Sequence, residues 1–264
     1  MNPIGVVICN YNKKDFVLQC VQSVLESKEK NFDIYVVDNA SSDGSAEALK
    51  KAYGNRITVI ENKENLGGSG GFNTGLRIVR DKGYSYFMCL DDDAAVDENA
   101  LSVLYHYMEE HTDTGMAGCR VYHTQMPDYI QQSGLLIDFD NCTAKTIGAD
   151  MPEDGSLPDV IECDTVATCA VMVRADTVKQ KGVGIMPEDN FIYWDDMEWG
   201  YRIKLAGYRV VTLAEAKALH QMGANTKKEN TFINYYMWRN RTNFFMRFTP
   251  EAQMEAMSVK VLGA

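Results

Sequence analysis

The chain has no CxxC pair, no surplus of basic residues, no apolar run of membrane-spanning length, and no basic N-terminal segment followed by an apolar stretch. Each absence excludes something. Seven cysteines are an odd number, and several sit in apolar, strand-like contexts: Cys9, Cys89, Cys119 and Cys169. They read as reduced core thiols, not as a disulfide framework or a zinc site. A net charge of −11 opposes nucleic acid or an anionic membrane as the main partner, since both select basic surfaces. A transmembrane helix needs about 20 apolar residues. With no such run and no signal-peptide pattern, the expectation is a cytoplasmic protein, with peripheral contact at the inner face of the membrane left open. An acidic chain can still hold an anionic ligand where a metal ion inverts the local field. No linker and no internal repeat stands out in the 264 residues, and the 45% hydrophobic content supports one sizeable core.

What is present alternates. Ile4 to Ile8 reads as a strand, Phe16 to Leu25 as a helix, and Phe32 to Val37 as a second strand. Gly44 to Tyr53 reads as a helix and Ile57 to Ile60 as a third strand. A glycine-rich loop, Asn65 to Gly71, then leads into a helix from Phe72 to Asp81. The strand Tyr84 to Leu90 and a helix carrying Leu101, Leu104, Tyr105 and Met108 follow. This order predicts an α/β fold with a mostly parallel, doubly wound sheet and helices on both faces. Residues 115–164 break the pattern with short strands and Gly, Pro and Asp turns, which predicts a small antiparallel excursion. Val166 to Val173 and Arg209 to Leu213 return as strands, Asp195 to Ala206 and Phe232 to Phe248 as helices.

The run Asp91-Asp92-Asp93 ends a buried strand. Three adjacent carboxylates emerging from an apolar environment favour protonation unless a cation joins them. Asp91 and Asp93 share one side of an extended chain, which suits a hard divalent ion. The alternative is a solvated acidic turn. Asp38 stands at the tip of the second strand, in Asp38-Asn39-Ala40-Ser41-Ser42, where it can accept from a ribose hydroxyl or a base N–H. Turn chemistry explains the same residues. Asn10 and Tyr11 after the first strand are similarly two-sided, with Tyr11 a candidate floor for a base. The loop from Asn65 to Gly71, with Gly67 its first glycine, is neither GxGxxG nor a P-loop. Its glycines suit a close ligand or a tight turn. Trp194-Asp195-Asp196-Met197-Glu198-Trp199 gathers carboxylates beside tryptophans. Asp195 and Glu198 are i,i+3 neighbours if this is a helix. Sugar recognition uses such pairs, and an acidic helix start with core tryptophans explains them equally. His220 is a lone histidine, and such residues are more often structural than ligating. Beside two aspartates a neutral imidazole completes a metal site. Residues 221–228 read as a mobile loop able to fold over a nucleotide. The aromatic run 235–241 reads as helix packing, with Arg239 and Arg241 as candidate phosphate or acceptor contacts.

In this order the elements resemble family 2 glycosyltransferases of the GT-A fold. The matching residues are Val6 to Asn12, Val37 to Gly44, Asn65 to Gly68, Asp91 to Asp93, Trp194 to Trp199, and His220. The Asn-Leu-Gly-Gly and Trp-Asp-Asp-x-Glu signatures look most like the bacterial rhamnosyltransferase and galactofuranosyltransferase group, whose setting is cell-surface polysaccharide synthesis. The resemblance implies inverting transfer from a UDP- or dTDP-sugar to a glycan or lipid-linked acceptor, with Mn²⁺ or Mg²⁺ as cofactor. It assigns Asp196 as catalytic base, and Trp194, Asp195 and Glu198 as acceptor contacts. Asn10, Tyr11, Asp38, Asn65, Gly67, Asp91 and Asp92 would face the nucleotide, and Asp91, Asp93 and His220 the metal. Cys9 departs from the pattern, since many relatives carry a hydroxyl residue there. One catalytic domain over 1–264 is implied, its nucleotide-binding part about 1–115 and its acceptor and metal-completing part about 116–264. A sugar nucleotidyltransferase is the rival enzyme. It wants a glycine loop with a basic residue after the first strand, where this chain has Asn10-Tyr11-Asn12-Lys13. A non-catalytic nucleotide- or carbohydrate-binding module is the other rival.

Overall fold

The computed structural model describes residues 3–221 and 231–262, so the loop expectation at 222–228 lies outside the described residues. Strands β1 (Ile4–Asn10), β2 (Phe32–Asp38), β3 (Thr58–Glu61) and β4 (Tyr86–Asp91) alternate with helices α1 (Lys14–Glu26), α2 (Ser45–Tyr53) and α3 (Gly67–Lys82). They pair in parallel in the order β3-β2-β1-β4. The next elements are β5 (Ala94–Val96), α4 (Ala100–Glu110), β6 (Thr114–His123), β7 (Met126–Gln132), β8 (Leu135–Asp138), β9 (Thr143–Thr146), β10 (Met151–Pro152) and β11 (Val160–Glu162). They are followed by β12 (Ala170–Arg174), α5 (Asp195–Leu205), β13 (Arg209–His220), α6 (Thr231–Phe248) and α7 (Met254–Leu262). Beyond β4 the sheet continues antiparallel through β12, β6, β7 and β10. β8 and β9 form a separate hairpin.

The central strands are apolar throughout because helices cover both their faces. Alternation then sorts the side chains. Val6 and Ile8 join Val17, Val21, Val24, Leu101 and Leu104 on one face. Val7 joins Val37, Phe72, Leu76 and Trp199 on the other. A third cluster, with Trp194, Met197, Phe244, Phe245 and Met257, docks α6 and α7 onto the start of α5.

Two differences from the sequence reading shape the site; apart from them, the strand expected at Val166 to Val173 begins only at Ala170. The glycine-rich stretch is not a loop, because α3 begins at Gly67 and includes it. A Cβ on Gly71 would lie 2.4 Å from Cys9 Sγ, and one on Gly75 2.4 Å from Val7 Cγ1. These glycines bring the helix backbone down onto β1, and that close approach offsets their low helix propensity. Strand β13 also runs beyond Leu213 to His220, through a register shift between Leu213 and Lys217 that keeps it beside β6. That extension carries His220 to the acidic triplet.

Candidate active site

Strand β4 delivers Asp91, and the turn into β5 carries Asp92 and Asp93. The end of β13 pairs antiparallel with β5, placing His220 opposite Ala94. His220 Nε2 is 3.2 Å from Asp93 Oδ1 and 3.8 Å from Asp91 Oδ2. One ligand atom from each of these three residues falls within 4.8 Å of the others. Lys13 was not foreseen here. Its Nζ lies 2.7 Å from Asp93 Oδ2 and 3.1 Å from Asp92 Oδ1. Asp92 is not part of the trio; besides Lys13, it accepts the Tyr11 N–H at 3.0 Å, fixing the chain after β1.

The charges follow from this geometry. Burial pushes the Asp91 carboxyl up, with the positive field of His220 opposing. Burial likewise pushes Asp92 up to about 6, against Lys13 and the Tyr11 N–H. For Asp93 burial also acts upward, yet the hydrogen bond and charge of His220, with Lys13, outweigh it and hold the carboxyl below its usual range. His220 is the mirror case. Burial would lower it, but Asp93 and Asp91 raise it. Two carboxylates and an imidazole, two of them raised by burial or by each other, fit a divalent cation. That donor set, one nitrogen and hard oxygens, is a common one for Mn²⁺-like ions.

The tip of β2 is a network of amides. Asp38 is buried and accepts from Asn10 Nδ2 at 3.0 Å and from the Ser41 N–H at 2.8 Å. Asn10 is fully buried, and its Oδ1 has no hydrogen-bond partner among the described residues. Asn39 is the hub, a role the sequence reading missed. Its Nδ2 donates to Asn65 Oδ1 and to the Gly67 carbonyl, both at 2.9 Å. Its Oδ1 accepts from Asn62 at 2.9 Å and from the Leu66 N–H at 3.1 Å. Asn65 Oδ1 also accepts the Gly67 N–H at 2.8 Å. Asn65 and Gly67 are thus tied to the β2 tip, while Tyr11, after β1, is 45% exposed.

The acidic helix start lies across from the triplet. Phe191, Tyr193 and Trp194 have φ of 63°, 65° and 64°, left-handed values that cost non-glycine residues about 1–3 kcal/mol each. Asn240 holds the segment by donating to the carbonyls of Asn190, Ile192 and Tyr193, each at 2.8 Å. Arg239 adds hydrogen bonds to the Asp189 and Asn190 carbonyls at 2.6 and 2.8 Å. Arg241 Nε donates to the Cys142 carbonyl at 2.6 Å. These arginines donate to backbone carbonyls of neighbouring segments, in keeping with the packing role expected for the aromatic run.

Asp195 accepts from the buried Ser69 hydroxyl at 2.9 Å, across from the first turn of α3. Asp196 Oδ1 accepts the Met197 N–H at 2.7 Å. Burial, then the charge of Asp195, push Asp196 up to about 7, and the field of Asp91 adds to the shift. Burial raises Asp195 too, but Ser69 and backbone N–H groups oppose it there. Two expectations are corrected. Trp194 is buried at 7% exposure against Phe244 and Phe245, so its ring offers no open sugar-stacking face. Glu198 is fully buried and faces Arg202, Arg247 and Asn190 instead of an acceptor.

Comparison with known proteins agrees with this arrangement. Residues 5–168 match the model of the family described as glycosyl transferase family 2. The Escherichia coli UDP-Glc:α-D-GlcNAc-diphosphoundecaprenol β-1,3-glucosyltransferase WfaP is 30% identical over 109 residues, 41% of this chain and 42% of that protein. The chain's matches span less than half the length of the first curated relatives. The mannosyltransferase PcManGT of Pyrobaculum calidifontis, solved with GDP-Man and Mn²⁺, superposes with a TM-score of 0.65 at 14% identity, covering 98% of this chain and 69% of that one. Staphylococcus aureus TarS, solved with UDP-GlcNAc, superposes with a TM-score of 0.64 at 15% identity, covering 98% and 71%. The architecture is therefore the GT-A type expected from the sequence. Among the described residues, no helix is long and apolar enough to cross a membrane.

Proposed function

The chain belongs to glycosyl transferase family 2, and from that premise we propose that it transfers a sugar, with inversion, from a UDP- or dTDP-linked donor to a hydroxyl of a glycan or lipid-linked acceptor. The observation that carries this is the trio of Asp91, Asp93 and His220 at the strand ends, near enough to Asp196 for the charge of Asp91 to help raise its carboxyl. PcManGT and TarS, which share the fold, were solved with nucleotide sugars. WfaP is named for a diphosphoundecaprenol-linked acceptor. The nucleotide-binding part is about residues 1–115, and the acceptor and metal-completing part about 116–264.

Asp91, Asp93 and His220 hold Mn²⁺ or Mg²⁺. When bound, that ion supplies Lewis-acid stabilisation of charge on the departing diphosphate. Asp38, Asn10 and Asn65 order the strand ends that face the nucleoside, with Tyr11 beneath the base. Asp92 positions Tyr11 through its backbone. Gly67 opens the close approach at the start of α3. Asp196 takes the proton from the acceptor hydroxyl as that oxygen attacks the anomeric carbon from the face opposite the diphosphate. A carboxylate raised towards 7 is a stronger base than an ordinary one and is still substantially ionised at neutral pH. Asp195, held by Ser69, lies beside it in sequence and orients the acceptor.

A panel of UDP- and dTDP-sugars, with and without Mn²⁺, tests the proposal by thermal shift and then by donor hydrolysis. Metal-dependent stabilisation with slow hydrolysis is expected. Stabilisation without any hydrolysis or transfer would favour the binding-module reading, and turnover of a nucleoside triphosphate with a sugar phosphate the nucleotidyltransferase one.

A further inference from the structure

The histidine of the trio has a neighbour that no motif pointed to. Gln131, half-buried on β7, sets Oε1 2.7 Å from His220 Nδ1 and Nε2 3.3 Å from the backbone carbonyl of His220. An amide side chain has one donating and one accepting end. The His220 carbonyl can only accept, so the amide NH₂ must face it. That turns Oε1 to the ring. Because Oε1 can only accept, Nδ1 must carry hydrogen. In the neutral ring the lone pair then lies on Nε2, the nitrogen that faces Asp93 and Asp91. A further link supports the orientation. Gln131 Nε2 is 3.5 Å from His123 Nδ1, and His123 Nε2 is 2.8 Å from Asp150 Oδ1. With His123 donating from Nε2 to the carboxylate, its Nδ1 is free to accept from the amide. The chain of constraints runs Asp150, His123, Gln131, His220.

We propose that Gln131 is a positioning residue of the metal centre, fixing the ring orientation and tautomer in which His220 presents Nε2 to the ion. The inference rests on reading Asp91, Asp93 and His220 as the ligands. Gln131 was invisible to motif reading because it lies in the antiparallel excursion, far in sequence from every signature. It reaches His220 only because β7 pairs with β6, which itself pairs with β13.

Hydrogen-bond partners of ligating histidines typically contribute about 10–100-fold in metal affinity. Mn²⁺ binding in the presence of UDP, followed by electron paramagnetic resonance, tests this on the whole chain. Gln131→Met keeps the length and removes the acceptor, and is expected to weaken Mn²⁺ binding by about 10–100-fold. Gln131→Glu keeps an acceptor for Nδ1–H and should bind Mn²⁺ more tightly than Gln131→Met. Both should melt like wild type without metal, which separates positioning from folding. With Mg²⁺ and UDP, nitrogen-15 spectra of histidine-labelled protein should show the His220 hydrogen on Nδ1. It should exchange slowly with solvent in wild type and fast in Gln131→Met. A hydrogen on Nε2, or equal exchange in both proteins, overturns the inference. His220→Ala separates the two layers. If it loses Mn²⁺ binding while Gln131→Met stays within twofold of wild type, the ligand set stands and the positioning role is wrong. If His220→Ala binds Mn²⁺ normally, the ligand set is wrong and the inference falls with it.

Discussion

Glu198→Gln distinguishes a fold-holding carboxylate from a substrate-holding one. The Glu198 side chain is 1% exposed and accepts from Arg247 Nη1 at 2.8 Å to each oxygen. Arg202 Nη2 and, at 3.3 Å, Asn190 Nδ2 complete its shell. Removing one member of a buried ion pair generally costs about 3–5 kcal/mol, because the other charge is left unpaired. Here the arginine side chains are 26% and 36% exposed, so water can take up part of their solvation. Arg247 also keeps Asp189 as a partner. Discounting for both, the loss should be about 2–3 kcal/mol. For a chain of this size each kcal/mol moves Tm by about 2–4 °C, so a drop of about 4–12 °C is expected. The buried pair is weakly screened, so 0.5 M NaCl should remove little of the difference. Thermal denaturation of both proteins measures the drop, and acceptor titration measures any change in KM. An unchanged Tm together with a raised acceptor KM would refute the reasoning and return Glu198 to the acceptor.

Asp196→Asn should keep Mn²⁺ and UDP binding while transfer falls by about 10²–10⁴-fold, as is typical when a general base is lost; near-normal turnover would remove Asp196 from that role. Because the base must be ionised and its folded value is raised to about 7, kcat/KM should fall as pH drops through about 7 or, with the cation bound nearby, somewhat lower. The same limb surviving in Asp196→Asn would assign it to another group. Asp93→Ala and His220→Ala should each abolish Mn²⁺-dependent stabilisation by UDP, and calorimetry showing it intact in both would disprove the trio. Gly75→Ala, normally worth about 1 kcal/mol of helix stability, should instead destabilise by about 1–3 kcal/mol through overpacking on Val7. Urea unfolding decides it, and a more stable variant would contradict the close-packing account.

The parallel half of the sheet was legible because its strands are short, buried runs ended by turn residues, a local pattern that burial enforces. Asp91 and Asp93 were legible as a pair from their spacing on one strand, while the joining of His220 to them depends on long-range pairing of β13 with β5 and β6. Local pattern also misled. Glycines ordinarily break helices, so the start of α3 looked like a loop. The reason for those glycines lies in Cys9 and Val7, residues far away in sequence. Trp194 and Glu198 sit within a signature that suggested sugar contact, and only the packing of α6 shows both turned inward. Lys13, Asn39 and Gln131 carried no signal of their own. A lysine after a strand, an asparagine in a turn and a glutamine in a hairpin are ordinary until partners from other elements meet them.

The contribution of His220 from the far end of β13 has a consequence for how the protein comes into being. Asp91 and Asp93 leave the ribosome well before His220, by about ten seconds at ordinary elongation rates. Through that interval the nascent chain holds the two carboxylates and Lys13 but not His220, so it cannot assemble the trio. A product cut short before β13 carries the sequence of β1 to β4 but lacks His220. Under the proposed ligand set, loading with the cation would mark chains that reach His220, and metal-affinity measurements on a preparation would also count molecules cut short before it.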